Sequence, residues 1–270
     1  MRWIIGDIHG MYRMLCALLE AVQQKDPLPQ FYFVGDYVNR GPESKLVVDL
    51  LLSLKNARCV RGNHDEVFDL VLNNHSFAPH PEMNARLDAF LGFLQFGLDA
   101  TLLSYGIDSE KIEQAAHRPS FKALDHLLES IPQEHRNFFQ SLPTVIEESD
   151  LIIAHGKWDP EMLNDTYQIR YLAPDSPQRN LIIWGRYVEN EIRKTKPWSR
   201  RMFFGHTPVS TYASFWTRDA HRPIIGPQIV LLDTGAALSA QGRLTAVCAD
   251  DLSFIQIDRG GIVLSGKLQQ

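Results

Sequence analysis

The sequence predicts an α/β fold: two mixed β-sheets in a sandwich flanked by helices. Three observations carry that prediction. In the first 65 residues, short apolar runs alternate with segments of helical period. Each run ends in a glycine-bearing polar cluster, and the clusters recur 29 residues apart from Asp7 to Asp36 and 27 apart from Asp36 to Asn63. Strand–helix–strand units of this kind make right-handed crossovers and a parallel sheet. Near the C-terminus, the alternating segments 244–249 and 252–257 read as antiparallel strands. The C-terminal strands are expected to supply the second sheet.

Residues 2–5 form the first expected strand, which ends in Gly6-Asp7-Ile8-His9-Gly10. A helix follows over about 11–24, with Met14, Leu15, Leu18, Leu19 and Val22 on one face. A loop with two prolines covers 25–30, and the second strand covers 31–34. That strand delivers Gly35-Asp36-Tyr37-Val38-Asn39-Arg40-Gly41, a carboxylate, an amide and a guanidinium in close succession. Ser44 is the expected N-cap of a helix reaching residue 54. The third strand, 58–60, precedes Gly62-Asn63-His64-Asp65, and a helix continues over 66–73. From 75 to 140 the pattern is helical. It reads as an insertion, at about 66–145, within a single domain spanning 1–270. Strand character returns at 151–154 before His155-Gly156, and an apolar run at 181–184 ends in Gly185-Arg186. Residues 202–204 lead into Gly205-His206-Thr207-Pro208. A strand at 229–232 follows a long segment rich in aromatic, proline and arginine residues.

Apolar content of 44% with 22% charged residues is ordinary for a globular enzyme. A net charge of −5 argues against general binding to nucleic-acid phosphates. No apolar run approaches the roughly 20 residues that span a bilayer, so no membrane partner is expected. The first strand begins too early for a signal peptide to precede it. Cys16, Cys59 and Cys248 are odd in number and lie in apolar runs without C-x-x-C spacing. They are expected as buried reduced thiols of a cytoplasmic protein.

Asp7, His9, Asp36, Asn63, His64, His155 and His206 all fall at expected strand ends. The carboxyl ends of parallel strands share one edge, where α/β sheets bind ligands. Carboxylate, imidazole and amide ligands without thiolate suit divalent Mn, Fe or Zn. Asp36 is centrally placed to bridge two ions, which at a spacing of about 3.5–4 Å clamp a phosphoryl group and acidify a shared water. Taken singly, Asp7, Asp36, Asn63 and Arg40 also fit N-capping, and His155 and His206 also fit satisfied core histidines. Taken together at one edge, they read as a metal site. His75, His80, His117, His126, His135 and His221 are expected at the surface or as caps. Arg193, Lys194, Lys196, Arg200 and Arg201 read as a solvated basic face. Trp216, Arg218 and His221 fall on a loop near the site edge, with packing expected for Trp216.

The ordered motifs G-D-x-H-G, G-D-x-x-x-R-G, G-N-H-D, H-G and G-H-T resemble those of the calcineurin-like metallophosphoesterases. More narrowly they resemble the phosphoprotein phosphatase branch, which includes bacterial and phage serine/threonine phosphatases and diadenosine tetraphosphatases. The resemblance runs from Gly6 to about Ala249 and implies an αββα sandwich. It implies that Asp7, His9 and Asp36 hold one metal, and that Asp36, Asn63, His155 and His206 hold a second. Manganese is the expected ion, with iron or zinc as alternatives. By the same resemblance Arg40 and Arg186, the latter in Trp184-Gly185-Arg186, grip phosphate oxygens. His64 protonates the leaving oxygen as hydroxide attacks phosphorus in line.

Two substrate classes compete within the family. The segment from Phe96 to Gly106, with Gly97 and Thr101, resembles a segment of bacterial serine/threonine phosphatases, as do 131–143 and the Trp184 motif. A phosphomonoesterase acting on phosphoproteins, or on another small phosphorylated substrate, is therefore the favoured expectation. Against it stand Asn39 and Asp65, where those enzymes usually carry Asp and Glu; this pair resembles diadenosine tetraphosphatases. Asn39 holds His64 by a hydrogen bond but cannot stabilise its cation, which alkyl phosphates need most. A third reading, from another class, is a non-catalytic metal-binding scaffold; the complete ligand set and His64 speak against it.

Overall fold

Alternation along a few short strands builds the layers of this computed structural model, which describes residues 1–73, 85–158, 176–215 and 219–269. His75, His80, Trp216 and Arg218 lie outside these residues. In β1 (Arg2–Ile5), Trp3 and Ile5 face one side and Ile4 the other. In β2 (Gln30–Phe33), Phe31 and Phe33 share the first side while Tyr32 shares the second. β1, β2 and β3 (Ala57–Cys59) pair in parallel, with Trp3 opposite Phe31 and Phe31 opposite Ala57. The crossovers are α1 (Tyr12–Lys25) and α2 (Ser44–Ser53). Met14, Leu15, Leu18, Leu19 and Val22 of α1 are buried as their helical spacing predicts.

The second sheet comes from the middle of the chain. It runs in the order β4 (Val145–Glu147), β5 (Leu151–Ala154), β6 (Arg201–Phe204), β8 (Ile229–Leu231), β7 (Ile224–Ile225). β5, β6 and β8 are parallel. The C-terminal strands do not form this sheet, contrary to the sequence-based expectation. β9 (Arg243–Cys248), β10 (Ser253–Asp258) and β11 (Val263–Lys267) extend the first sheet, with β9 antiparallel to β1. Their alternation puts Leu244, Ala246 and Cys248 under α1 and Val247 between the sheets. The inter-sheet layer also holds Ile4, Tyr32, Val34, Ile153, Phe203 and Val230, and helices cover both outer faces. This is the expected αββα sandwich.

Between β3 and β4 the described chain is helical: α3 (Asn63–Asn73), α4 (Ala85–Leu94), α5 (Leu98–Ser104), α6 (Ser109–His117), α7 (Phe121–Leu127) and α8 (Gln133–Ser141). Phe68, Phe90, Leu102 and Phe139 from these helices join the same core as α1 and α2. Arg61, 1% exposed, anchors the segment. Its guanidinium pairs with Asp69 (2.8 Å) and Glu66 (3.0 Å) and donates to the carbonyls of Phe139 and Leu142.

Several local expectations change. α3 starts at Asn63, so Asn63 and His64 sit in its first turn. Ser44 is the first residue of α2 rather than its cap, and its hydroxyl meets Thr101. The run 181–184 is the last turn of α9 (Pro177–Trp184), capped by Ser176, whose hydroxyl accepts from Arg179 N. His135 is buried, between the Tyr105 hydroxyl and Asp49. All three cysteines are free, but only Cys248 is fully buried. The basic cluster is partly committed: Arg193 stacks on Phe215 and Arg200 pairs with Glu147. Among the described residues no single helix is long and apolar enough to cross a membrane.

Candidate active site

The loops after β1 and β2 are zipped together by their backbones. Ile8 and His9 N–H donate to the Asp36 carbonyl, Gly10 N–H to that of Tyr37, and Gly41 N–H to that of His9. Asp65 fastens a third loop, accepting from the N–H groups of Asp36 (2.7 Å), Tyr37 (2.9 Å) and Gly62 (2.9 Å). Packing is tight enough that a Cβ on Gly62 would fall 2.2 Å from Asp36 Oδ1, and one on Gly205 1.9 Å from Asp7 Oδ1. His9, Asp36, Asn39, Arg40 and His206 all have positive φ. Such strain persists only where surrounding contacts impose it, and it gathers at functional sites.

The side chains converge as the sheet edge predicts. Asp36 Oδ1 accepts from His64 N–H at the start of α3 (2.9 Å). Its Oδ2 lies 3.4 Å from Nε2 of His9 and 3.4 Å from Nε2 of His155. Asn63 Oδ1 lies 2.9 Å from His155 Nε2 and 2.8 Å from His206 Nδ1. Asp7 accepts from His206 N–H (3.0 Å). The far ring nitrogens are held by carbonyls: His9 Nδ1 by Val38 (2.9 Å), His155 Nδ1 by Val34 (2.8 Å) and His206 Nε2 by Trp184 (3.0 Å). A carbonyl only accepts, so in a neutral ring the proton sits on that far nitrogen and the near one carries a lone pair. The lone pair of His9 then faces Asp36 Oδ2 and that of His206 faces Asn63 Oδ1, which repels unless a cation lies between them.

Charge points the same way. Burial pushes His9 well below the ordinary imidazole value and His206 down to about 3, so both rings are neutral. Burial, then the Asp233 carboxylate, pushes Asp7 well up. Burial opposes charge on Asp36 too, yet the imidazoles of His155 and His64 hold it well below its usual range. Burial would lower His155, but Asp36 beside it wins and pushes it up to about 9. Without metal, a proton on His155 supplies the positive charge. Asp7, Asp36 and His155 offer ligand atoms within 4.8 Å of one another, and so do His9, Asp36 and His64. The donor set fits divalent cations, and Asp36 belongs to both groups.

At the mouth, Asn39 Nδ2 donates to His64 Nδ1 (2.9 Å). Thr101 sets the amide's orientation: its hydroxyl donates to Asn39 Oδ1 (3.0 Å) and accepts from Asn39 N–H (2.8 Å). Burial pushes His64 down to about 4. Arg40 Nη2 lies 3.3 Å from His64 Nε2, and Arg186 Nη1 donates to Thr207 (3.2 Å). The structure thus brings together Asp7, His9, Asp36, Asn63, His155 and His206, with His64, Asn39, Arg40 and Arg186 around them. Sequence reasoning missed Asp233, a buried carboxyl that burial pushes up to about 6. It follows an apolar run, so the rule that found Asp7 applies to it. The part that Thr101 and Ser44 play beside Asn39 had no local signal, because it depends on contacts across 57–62 residues.

Residues 2–231 match the family model described as calcineurin-like phosphoesterase. The chain belongs to that family. Its members are metal-dependent hydrolases of phosphoric esters that use a dinuclear divalent centre, and this site has the side chains for one. Among curated relatives, a symmetrical bis(5'-nucleosyl)-tetraphosphatase of Coxiella burnetii is 40% identical over 89 residues. That match spans only 33% of this chain and 30% of the relative. An asymmetrical bis(5'-nucleosyl)-tetraphosphatase of Geobacillus thermodenitrificans is 25% identical over 276 residues, spanning 94% of this chain and 92% of the relative. Among solved structures, a cold-active protein-tyrosine phosphatase of a psychrophilic Shewanella species aligns with TM-score 0.51 at 14% identity. It covers 98% of this chain and 79% of that one, a likeness of fold alone.

Proposed function

We propose that this calcineurin-like phosphoesterase hydrolyses nucleoside polyphosphates, dinucleoside tetraphosphates in particular, as a single domain with a helical insertion. The observation that carries the reading is the neutral Asn39 amide on His64 Nδ1. With no carboxylate behind it, and with burial holding it down to about 4, His64 is a weak store of an acidic proton near neutral pH. A nucleotide polyphosphate leaves as a phosphate anion and needs less protonation than an alkoxide. The two tetraphosphatase relatives support the same substrate class.

Asp7, His9 and Asp36 would hold one divalent ion, and Asp36, Asn63, His155 and His206 the other, with manganese the ion we favour. When bound, the pair supplies an acidified water as nucleophile and neutralises charge on the phosphate. Arg40 and Arg186 grip phosphate oxygens and orient them. His64 donates a hydrogen bond to the leaving oxygen. Val38, Val34 and Trp184 carbonyls hold the three ligand imidazoles in register. The free thiols of Cys16, Cys59 and Cys248 go with a reducing, cytoplasmic setting.

A serine/threonine phosphomonoesterase is the second reading, favoured by the segment around Thr101, which packs directly beneath Asn39. A side-by-side assay with added manganese tests both, using diadenosine tetraphosphate and a phosphothreonine peptide. Higher kcat/KM on the dinucleotide is expected; the reverse order would sink the proposal in favour of the phosphoprotein reading. Full metal loading with no turnover of a generic aryl phosphate would instead indicate a scaffold.

A further inference from the structure

Three aromatic rings run as a wall along the site mouth, from His64 to His206. Phe93 of α4 meets His64 edge-on, ring centroids 5.3 Å apart at 73°. Phe96 follows at 5.4 Å from Phe93, and Trp184 lies 6.4 Å from Phe93 and 6.4 Å from His206. Both outer rings face solvent: Phe96 is 48% exposed and Trp184 41%. Large rings such as Phe31, Phe33, Phe90 and Phe203 are fully buried, and Phe121 on α7 is another exposed one. A contiguous apolar surface open to water beside a polar cleft marks a binding surface.

The wall is fixed to the polar site by its backbone at both ends. Phe96 precedes Gly97, which has φ of +89° and approaches so closely that a Cβ there would fall 2.2 Å from Arg40 N. Any side chain at 97 would push Phe96 away from Arg40. At the other end the Trp184 carbonyl accepts from His206 Nε2 (3.0 Å), and Arg186 lies two residues further on. A ligand whose phosphates reach Arg40 and Arg186 therefore has flat aromatic surface beside it on the His64 side, where the leaving oxygen would be protonated.

We infer that Phe93, Phe96 and Trp184 form a subsite for the nucleobase of the leaving nucleotide, an inference that rests on the nucleoside polyphosphate reading above. Phe96 and Trp184 offer the stacking faces, and Phe93 positions them against His64. A phosphorylated serine or threonine carries no ring to use this surface. Every base has a π-face, so the subsite selects for a base without reading which one. Stacking of this kind is expected to change affinity by about tenfold or more per base.

The test is binding of adenosine monophosphate against ribose 5-phosphate, followed by fluorescence or calorimetry on the manganese-loaded protein. The monophosphate is expected to bind at least about tenfold more tightly. That preference should shrink toward one in Phe96→Leu and in Trp184→Leu, two separate changes at exposed rings. Tryptophan quenching by the nucleotide should also be lost in Trp184→Leu. A base preference that is absent in the wild type, or undiminished in both variants, overturns the subsite. A phosphotyrosine peptide that competes better than the nucleotide, and loses that advantage in both variants, would assign the shelf to tyrosine and overturn the base assignment. A protein that prefers the base in binding but hydrolyses only phosphopeptides keeps the shelf and overturns the substrate reading, so the two failures are distinct.

Discussion

The Asn39 carboxamide gives His64 a hydrogen bond but no charge, and the behaviour of His64 as the proposed acid follows from that one atom exchange. A carboxylate in place of this amide would accept from Nδ1–H and stabilise the imidazolium, raising the pKa from its present value of about 4. A raised pKa keeps the acid form present to higher pH. Asn39→Asp is therefore expected to raise turnover of a phosphothreonine peptide by about tenfold and move the alkaline limb of its pH profile upward. Identical pH profiles for the two enzymes would refute the link. His64 also lies within ligand range of His9 and Asp36. If it acts as the acid, His64→Asn should keep its metal content yet lose about 10²-fold or more on an alkyl phosphate. The loss on an activated aryl phosphate should be much smaller. Loss of metal, or equal loss on both substrates, would count against the acid role. Asn39 was conspicuous in the sequence because it breaks a motif, whereas the hydroxyl of Thr101 that orients it was invisible until the chain had folded.

At the scale of elements, the helical segment is tied to the sheet by Arg61. Its guanidinium joins the β3–α3 turn to the end of α8 and neutralises Asp69, which is fully buried. Arg61→Met would leave that carboxylate without its guanidinium partner and with the Asn73 amide on Oδ1, at a cost of up to about 3–5 kcal/mol. Urea denaturation should show the midpoint falling without a change in slope. A loss below about 1 kcal/mol would mean that Asp69 finds another partner or water. The helical period over 85–141 was legible in sequence, but the N-terminal limit of α3 was not. Asn63 and His64 read as loop residues because glycine precedes them. In the structure the helix starts one residue after that glycine, with Asp65 accepting the Gly62 N–H.

Across the whole molecule, the two sheets meet at the edge remote from the candidate metal ligands through Arg2, which pairs with Asp150 before β5 and Asp250 after β9. The Arg2 guanidinium holds the Asp150 carboxyl below its ordinary value of 3.8. The unfolded chain therefore binds the proton more readily, and this stabilisation, present above about pH 3.8, is lost as pH falls below it. Because the pair is largely exposed, Asp150→Asn is expected to cost only about 0.5–1 kcal/mol at pH 7. The difference from wild type should vanish in acid; a gap that persists there would argue for packing rather than charge. The proposed metal site lies at the opposite edge. Manganese should raise the Tm, and chelation should reverse it. Without metal, His155 keeps its proton to about pH 9, against 6.5 for a free imidazole, so a metal held by His155 would have to displace it. The manganese-induced shift should therefore grow from pH 6.5 to 9, and a flat response would exclude His155 as a ligand.

The sequence by itself determined the parallel β1–β2–β3 unit and the polar clusters at its strand ends, and it named the side chains that the structure brings together there. Those features are local: a period of two or three and a half, a glycine turn and a short spacing place a side chain at a sheet edge without distant information. Tertiary structure decided what depends on contacts between distant segments. It placed β9 beside β1, and so assigned the C-terminal strands to the first sheet. It turned the lone pairs of His9 and His206 toward Asp36 and Asn63 by giving the far nitrogens to the carbonyls of Val38 and Trp184. It also carried Phe93 and Phe96 of the helical segment to Trp184 of α9, building an aromatic mouth from residues that no sequence spacing relates.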